Sequence, residues 1–132
     1  MKEDEHQALI AYRLKRAAET LMEAQLMQRE EHWNTCANRL YYAAFYAVSA
    51  LLAQYGYVAS KHTGIKAMFN QHFLIEDQKL FLDEVNDFNL EVRYPEYRSE
   101  FYKFCTREFA EGYFNKIKEF VSWLTSQITF DE

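Results

Sequence analysis

Three places in the chain gather side chains suited to holding an anion. The first is Arg93-Tyr94-Pro95-Glu96-Tyr97-Arg98, which interrupts a helical pattern immediately after an apolar stripe. A bundle presents side chains from a fixed support at such a break; Arg93 and Arg98 can grip a phosphate there, and Tyr97 can donate a hydrogen bond or stack on a base. The second is Lys61-His62-Thr63-Gly64, a lysine and a titratable imidazole at a predicted helix start, where free backbone N–H groups favour negative charge. The third is Arg39, the one formal charge in the run from Asn38 to Leu52. A guanidinium cannot shed its proton, so in such a setting it needs a carboxylate, carbonyls or a phosphate-like ligand. Each place also has a plainer reading. Arg93 and Arg98 can pair with Glu91, Glu96 and Glu100 across a kinked connection, and His62 can be a loop histidine without catalytic duty. Arg39 can pair with Glu91, Glu96 or an acid of the first helix.

Other chemistries find little support. His6, His32, His62 and His72 are scattered with no pair at helical ligand spacing, and there is no glycine-rich phosphate cradle. Cys36 and Cys105 stand apart in aromatic-rich stretches, which suits buried free thiols better than a metal framework. No metal and no cofactor is expected.

The elements that must position these residues are helices. From Trp33 to Tyr55, apolar side chains recur at three- and four-residue steps, through Cys36/Ala37, Leu40/Tyr41, Ala44, Val48 and Leu51/Leu52. Arg39, Ala43, Tyr46 and Ala50 form a second seam, so the helix is apolar on several sides and belongs in the middle of the fold. Gly56 is the natural stop, because a left-handed cap costs glycine little. Before it, a helix from about Glu5 to Gln28 shows Ile10, Leu14, Ala17, Leu21 and Ala24/Gln25 on one face, with Arg13, Lys15 and Arg16 on others. The polar link Arg29-Glu30-Glu31-His32 is short enough to require an antiparallel neighbour.

Further on, Ser60 or Thr63 can cap a short helix carrying Ile65, Met68 and Phe69. Another helix begins at Glu76-Asp77 with a stripe of Leu80/Phe81, Val85, Phe88 and Val92, and Pro95 forces a break near Val92-Arg93-Tyr94. A last helix, from about Glu100 or Thr106 to Ile128, carries Phe109, Tyr113, Ile117, Phe120/Val121 and Leu124. Gly112 inside it marks either a close helix crossing or mere tolerance. With no competing strand signal, the pattern predicts an all-α antiparallel bundle of four or five helices in one domain over residues 1–132.

Ten tyrosines and eleven phenylalanines among 132 residues leave aromatic side chains for an interface. A formal charge of −5 offers no global attraction for nucleic acid, so any such binding needs a local basic patch. Residues 40–60 are uncharged, but tyrosines, Ser49, Gln54 and Gly56 dilute them too much for a membrane span. The start, Met1-Lys2-Glu3-Asp4-Glu5, has no secretory pattern. A cytoplasmic protein without membrane association is expected.

The run Asn38-Arg39-Leu40-Tyr41-Tyr42-Ala43-Ala44-Phe45-Tyr46-Ala47, then Ala50-Leu51-Leu52, Gly56, Lys61-His62-Thr63-Gly64, Phe69 and Phe73, resembles the HEPN superfamily, in its small stand-alone bacterial and archaeal branch. Arg93-Tyr94-Pro95-Glu96-Tyr97 is similar to the arginine, two variable residues, acid and tyrosine that this branch carries before its last helix. The resemblance covers roughly residues 9–125. It implies a helical bundle, commonly dimeric, often encoded beside a minimal nucleotidyltransferase in toxin–antitoxin pairs, with some members cleaving RNA without metal.

Those ribonuclease members follow an arginine, and usually a polar residue, with a histidine a few residues on. Here Arg93 matches the arginine, Tyr94 replaces the polar residue, and residues 98–100 are Arg-Ser-Glu. Neither Tyr97 nor Arg98 is an apt general base near neutral pH. The resemblance therefore points first to a non-catalytic or weakly active module. It would dimerise, with the Arg93–Tyr97 region the first choice of interface, and bind a nucleotidyltransferase, nucleotide or RNA through Arg39, His62, Arg93, Tyr97 and Arg98. Two alternatives stay open. One is a metal-independent endoribonuclease toxin using Arg93, with His62 or Tyr97 assisting; the other is a purely structural dimer.

Overall fold

A computed structural model of the chain describes residues 3–57, 68–69, 76–86, 103 and 105–128. Among the described residues every delimited element is an α-helix: α1 (Glu3–Arg29), α2 (Trp33–Gln54), α3 (Glu76–Asn86) and α4 (Arg107–Ser126). The described residues form an all-α bundle of four helices, in keeping with the four or five that the periodicity predicts. α2 packs against α1, α3 and α4, and α1 also reaches α4. The expected breaks and caps at Ser60, Thr63 and Pro95 lie outside the described residues, as do His72, Phe73, Phe88 and Val92.

α2 is central because it is covered on both of its apolar seams. Leu40, Ala44, Val48, Leu51 and Leu52 from one seam and Ala43 and Ala50 from the other are all buried. Small side chains at Ala17 and Ala24 of α1 and at Ala43, Ala47 and Ala50 of α2 are fully enclosed. Phe69, Phe81 and Phe120 close the α3/α4 side, with ring centroids 6.3 Å (Phe69–Phe120) and 5.1 Å (Phe81–Phe120) apart in edge-to-face contact, the geometry that aromatic quadrupoles favour.

The helix ends follow from local chemistry. α1 closes with Glu31 N–H donating to Gln28 O and His32 N–H to Met27 O, which places Glu31 at φ 61° in the left-handed region. α2 ends the same way at Gly56, φ 91°, with Gly56 N–H to Ala53 O and Tyr57 N–H to Leu52 O. Both are the paired 6→1 and 5→2 closure of a Schellman turn. The second occurs at the glycine the sequence suggests, the first at a glutamate that only its φ reveals. At the start of α4 the Thr106 hydroxyl accepts from Phe109 N–H at 3.3 Å, which selects Thr106 over Glu100 as the helix start.

Three expectations are corrected. Arg13 is not on an outer face of α1 but is 7% exposed, on a buried stripe of Ile10, Arg13, Ala17, Thr20 and Ala24. Tyr55 lies past the last turn of α2 and is exposed, and Leu80 of α3 points to solvent while Leu82 and Val85 are buried. Gly112 has nothing within 4 Å of where a Cβ would stand, so tolerance rather than a close crossing explains it. No helix among the described residues is long and apolar enough to cross a membrane.

Candidate functional site

Of the five residues expected to form the site, Arg39 is placed by the structure, while His62, Arg93, Tyr97 and Arg98 lie outside the described residues. Arg39 sits in the second turn of α2, on the seam that faces α1. Its Nε and Nη2 donate to Asn38 Oδ1 at 3.1 and 2.7 Å, and Nη1 lies 3.5 Å from Glu23 Oε1 on α1. Its Cζ stands 5.0 Å from the centroid of the Tyr42 ring. An acid of the first helix is thus the partner, among those the sequence left open.

One turn along the same seam the motif repeats. Arg16 of α1 places its Cζ 5.3 Å from the Tyr46 centroid and its Nη1 3.6 Å from Glu19 Oε1. Hydrogen bonding to the Tyr46 side chain, aided by the charges of Glu19 and Glu23, raises the Arg16 pKa further above its usual value, so the guanidinium is firmly charged. Tyr42 and Tyr46 lie 6.3 Å apart, and Phe45 meets both edge to face. The helical period explains the arrangement: positions 39, 42/43 and 46 share one side of α2, and positions 16, 19/20 and 23 share one side of α1.

The result is a half-buried ladder of two arginines on two tyrosine rings, flanked by two glutamates. Its formal charge is zero, +2 from Arg16 and Arg39 against −2 from Glu19 and Glu23. It is therefore not a bare basic patch that would attract a nucleic-acid backbone at long range. It is a rigid surface of ring faces and forked donors. An anion arriving at the Nη1 edge of Arg39 competes with the 3.5 Å contact to Glu23, itself half exposed, and partly exposed ion pairs of this kind are worth about 0–1 kcal/mol.

The sequence reading missed Arg13. Buried against α2, it donates from Nη1 to Ser49 O at 3.0 Å, while the Ser49 hydroxyl donates to Tyr46 O at 2.9 Å. Burial lowers the Arg13 pKa from its ordinary value. The available signal was the stripe itself, since 10, 13, 17, 20 and 24 fit the three- and four-residue period as well as 10, 14, 17, 21 and 24 do.

The described histidines are placed elsewhere: the His6 Nε2 contacts Ala53 O at the end of α2, and His32 is exposed in the α1–α2 turn. No group of three or more histidine, cysteine, aspartate or glutamate side chains able to hold a metal occurs among the described residues. Cys36 and Cys105 are buried thiols that form no disulfide. Burial pushes the Cys36 thiol up to about 11 and, with a smaller effect from nearby Cys36, the Cys105 thiol up to about 12. A groove of about 430 Å³, lined by Phe81, Phe120, Trp123, Lys116 and Glu119, lies between α3 and α4, away from the ladder.

Comparison with known proteins agrees with this architecture. The model of the HEPN domain matches residues 10–128, a span that contains all five expected site residues. A UPF0332 protein of Thermotoga maritima is 44% identical over 71 residues, which cover 54% of this chain and 54% of that one. The chain thus spans about half the length of this curated relative. No solved structure matches significantly.

Proposed function

This chain belongs to the HEPN domain family, and from that premise we propose that it works as a binding module with little or no ribonuclease activity. Its ligand would be a minimal nucleotidyltransferase, a nucleotide or RNA, met through Arg39 and, on the family resemblance, through His62 and the Arg93–Arg98 stretch. The observation that carries this reading is the departure after Arg93: the residues that follow, Arg98-Ser99-Glu100, supply no imidazole. An arginine stabilises developing phosphate charge, but cleavage also needs a group that takes a proton near neutral pH. The arginine–tyrosine ladder supports the binding half of the proposal, because ring faces and forked donors held on two helices suit stacking and phosphate contacts. Self-association and a cytoplasmic setting, which suits two free thiols, belong to the same reading.

The test is a binding titration of the native chain, Arg39→Ala and Arg93→Ala against labelled single-stranded and structured RNAs, alongside capture of any nucleotidyltransferase encoded next to it. RNA binding weakened by both substitutions, or capture lost in them, is the expected result. Neither RNA binding nor capture would leave a purely structural dimer.

A further inference from the structure

The exposed side of α1 carries a second pattern, diametrically opposite its buried stripe. Ala8, Tyr12, Lys15, Glu19, Met22 and Leu26 are all exposed and follow strict alternating steps of four and three. That is the spacing of a coiled-coil seam. Three of them are large hydrophobic side chains left in solvent, with Tyr12 58%, Met22 70% and Leu26 50% exposed. Scattered apolar residues need no explanation, but these lie in register along one line of one helix.

The line is also self-complementary. In an antiparallel pair of identical helices related by a two-fold axis at position 17, residue i faces residue 34 − i of the other copy. Ala8 then meets Leu26, Tyr12 meets Met22, and Lys15 meets Glu19, each pair occurring twice. One heptad step further out, exposed Glu5 meets exposed Arg29. Apolar side chains fall only on apolar ones, and every charge on the line falls on its opposite. Antiparallel packing also sets the two helix dipoles head to tail. We infer that the outer face of α1 is an isologous docking surface for a second copy of this chain. This assigns a face to the self-association in the proposed function and rests on that part of the reading. It differs from the interface expected around Arg93–Tyr97. In the free chain Glu19 is 3.6 Å from Arg16 of its own helix, and in the dimer its carboxylate bridges Arg16 and the other copy's Lys15. A single helix pair gives an area at the low end of stable interfaces, so the dimer is reversible.

Sedimentation equilibrium of the native chain, Lys15→Glu, Glu19→Lys and an equimolar mixture of the two variants, from micromolar to submillimolar concentration, tests the surface. Both side chains are exposed, and far-UV circular dichroism checks that each variant keeps its helices. The native chain should dimerise. Each single variant places like charges opposite each other twice and should weaken the dimer about tenfold, whereas the mixture should return to native affinity as a heterodimer. Net charge moves from −5 to −7 in the first variant (−5 − 2) and to −3 in the second (−5 + 2). A general charge effect would therefore move the two variants in opposite directions, but this face requires both to weaken. A dimer indifferent to both substitutions, or not restored by mixing, overturns the assignment to α1 and leaves self-association standing on another face. A native chain that is monomeric throughout overturns both.

Discussion

Replacing Arg13 separates the two opposing contributions of a buried guanidinium. Arg13→Ala removes a hydrogen bond from a charged donor, worth about 1.5–3 kcal/mol. It also deletes most of an enclosed aliphatic stem, at about 0.8 kcal/mol per buried methylene. Against these losses, the substitution relieves the desolvation that lowers the Arg13 pKa, a cost of several kcal/mol for a fully buried ion and less for one with a bonded edge. The balance is a destabilisation of about 3 kcal/mol. Arg13→Met keeps the stem, gives up the bond to Ser49 O and sheds the buried charge together, so it should cost no more than about 1 kcal/mol. Ser49 O stays within the α2 ladder and is not left without a donor. Urea unfolding reads both substitutions as shifts in midpoint at constant slope. If Arg13→Met destabilises as much as Arg13→Ala, the hydrogen bond outweighs stem and desolvation together, and the reasoning fails.

Gly112→Ala should stabilise the chain by about 1 kcal/mol, because a Cβ there meets nothing within 4 Å; an unchanged or lowered thermal midpoint would contradict this. Thr106→Ala removes the cap of α4 and should cost about 1 kcal/mol by the same measurement. The cysteines predict an alkaline limit. Their thiols are held protonated to about 11 and 12 in the native chain, against an ordinary 9.0. Their stabilising effect is therefore intact below pH 9 and is lost as pH rises from 9 towards 11 and 12, by up to about 1.4 kcal/mol per pH unit for each thiol. Cys36→Ala should flatten that slope, and both native thiols should react with a thiol reagent at pH 8 far more slowly than in urea.

The middle of the fold was legible because α2 repeats its apolar positions over six turns without an interior charge other than Arg39. Gly56 was legible because its residue type answers a local backbone need, whereas Thr106 was one of two helix starts the sequence left open, selected by its hydroxyl accepting from Phe109 N–H. Arg13 was not legible, because the two stripes available on α1 differ at two positions, Arg13 or Leu14 and Thr20 or Leu21, and hydropathy favours the leucine at both. Which of the two faces α2 is decided by the fit between the helices, and a pairwise fit of that kind is invisible along a single helix. The same reason hid which acid Arg39 would meet. At the expected site, residue types suggested anion binding, and Glu23 and Tyr42 now give Arg39 its surroundings. His62, Arg93, Tyr97 and Arg98 remain readable from their residue types alone.

Binding without cleavage is tested most directly by incubating end-labelled single-stranded and structured RNAs with excess native protein and a chelator, beside Arg93→Ala, and following the RNA length over time. The account predicts intact RNA in both reactions, indistinguishable from buffer. Fragments that accumulate with the native chain and vanish with Arg93→Ala would establish a metal-independent ribonuclease and contradict it.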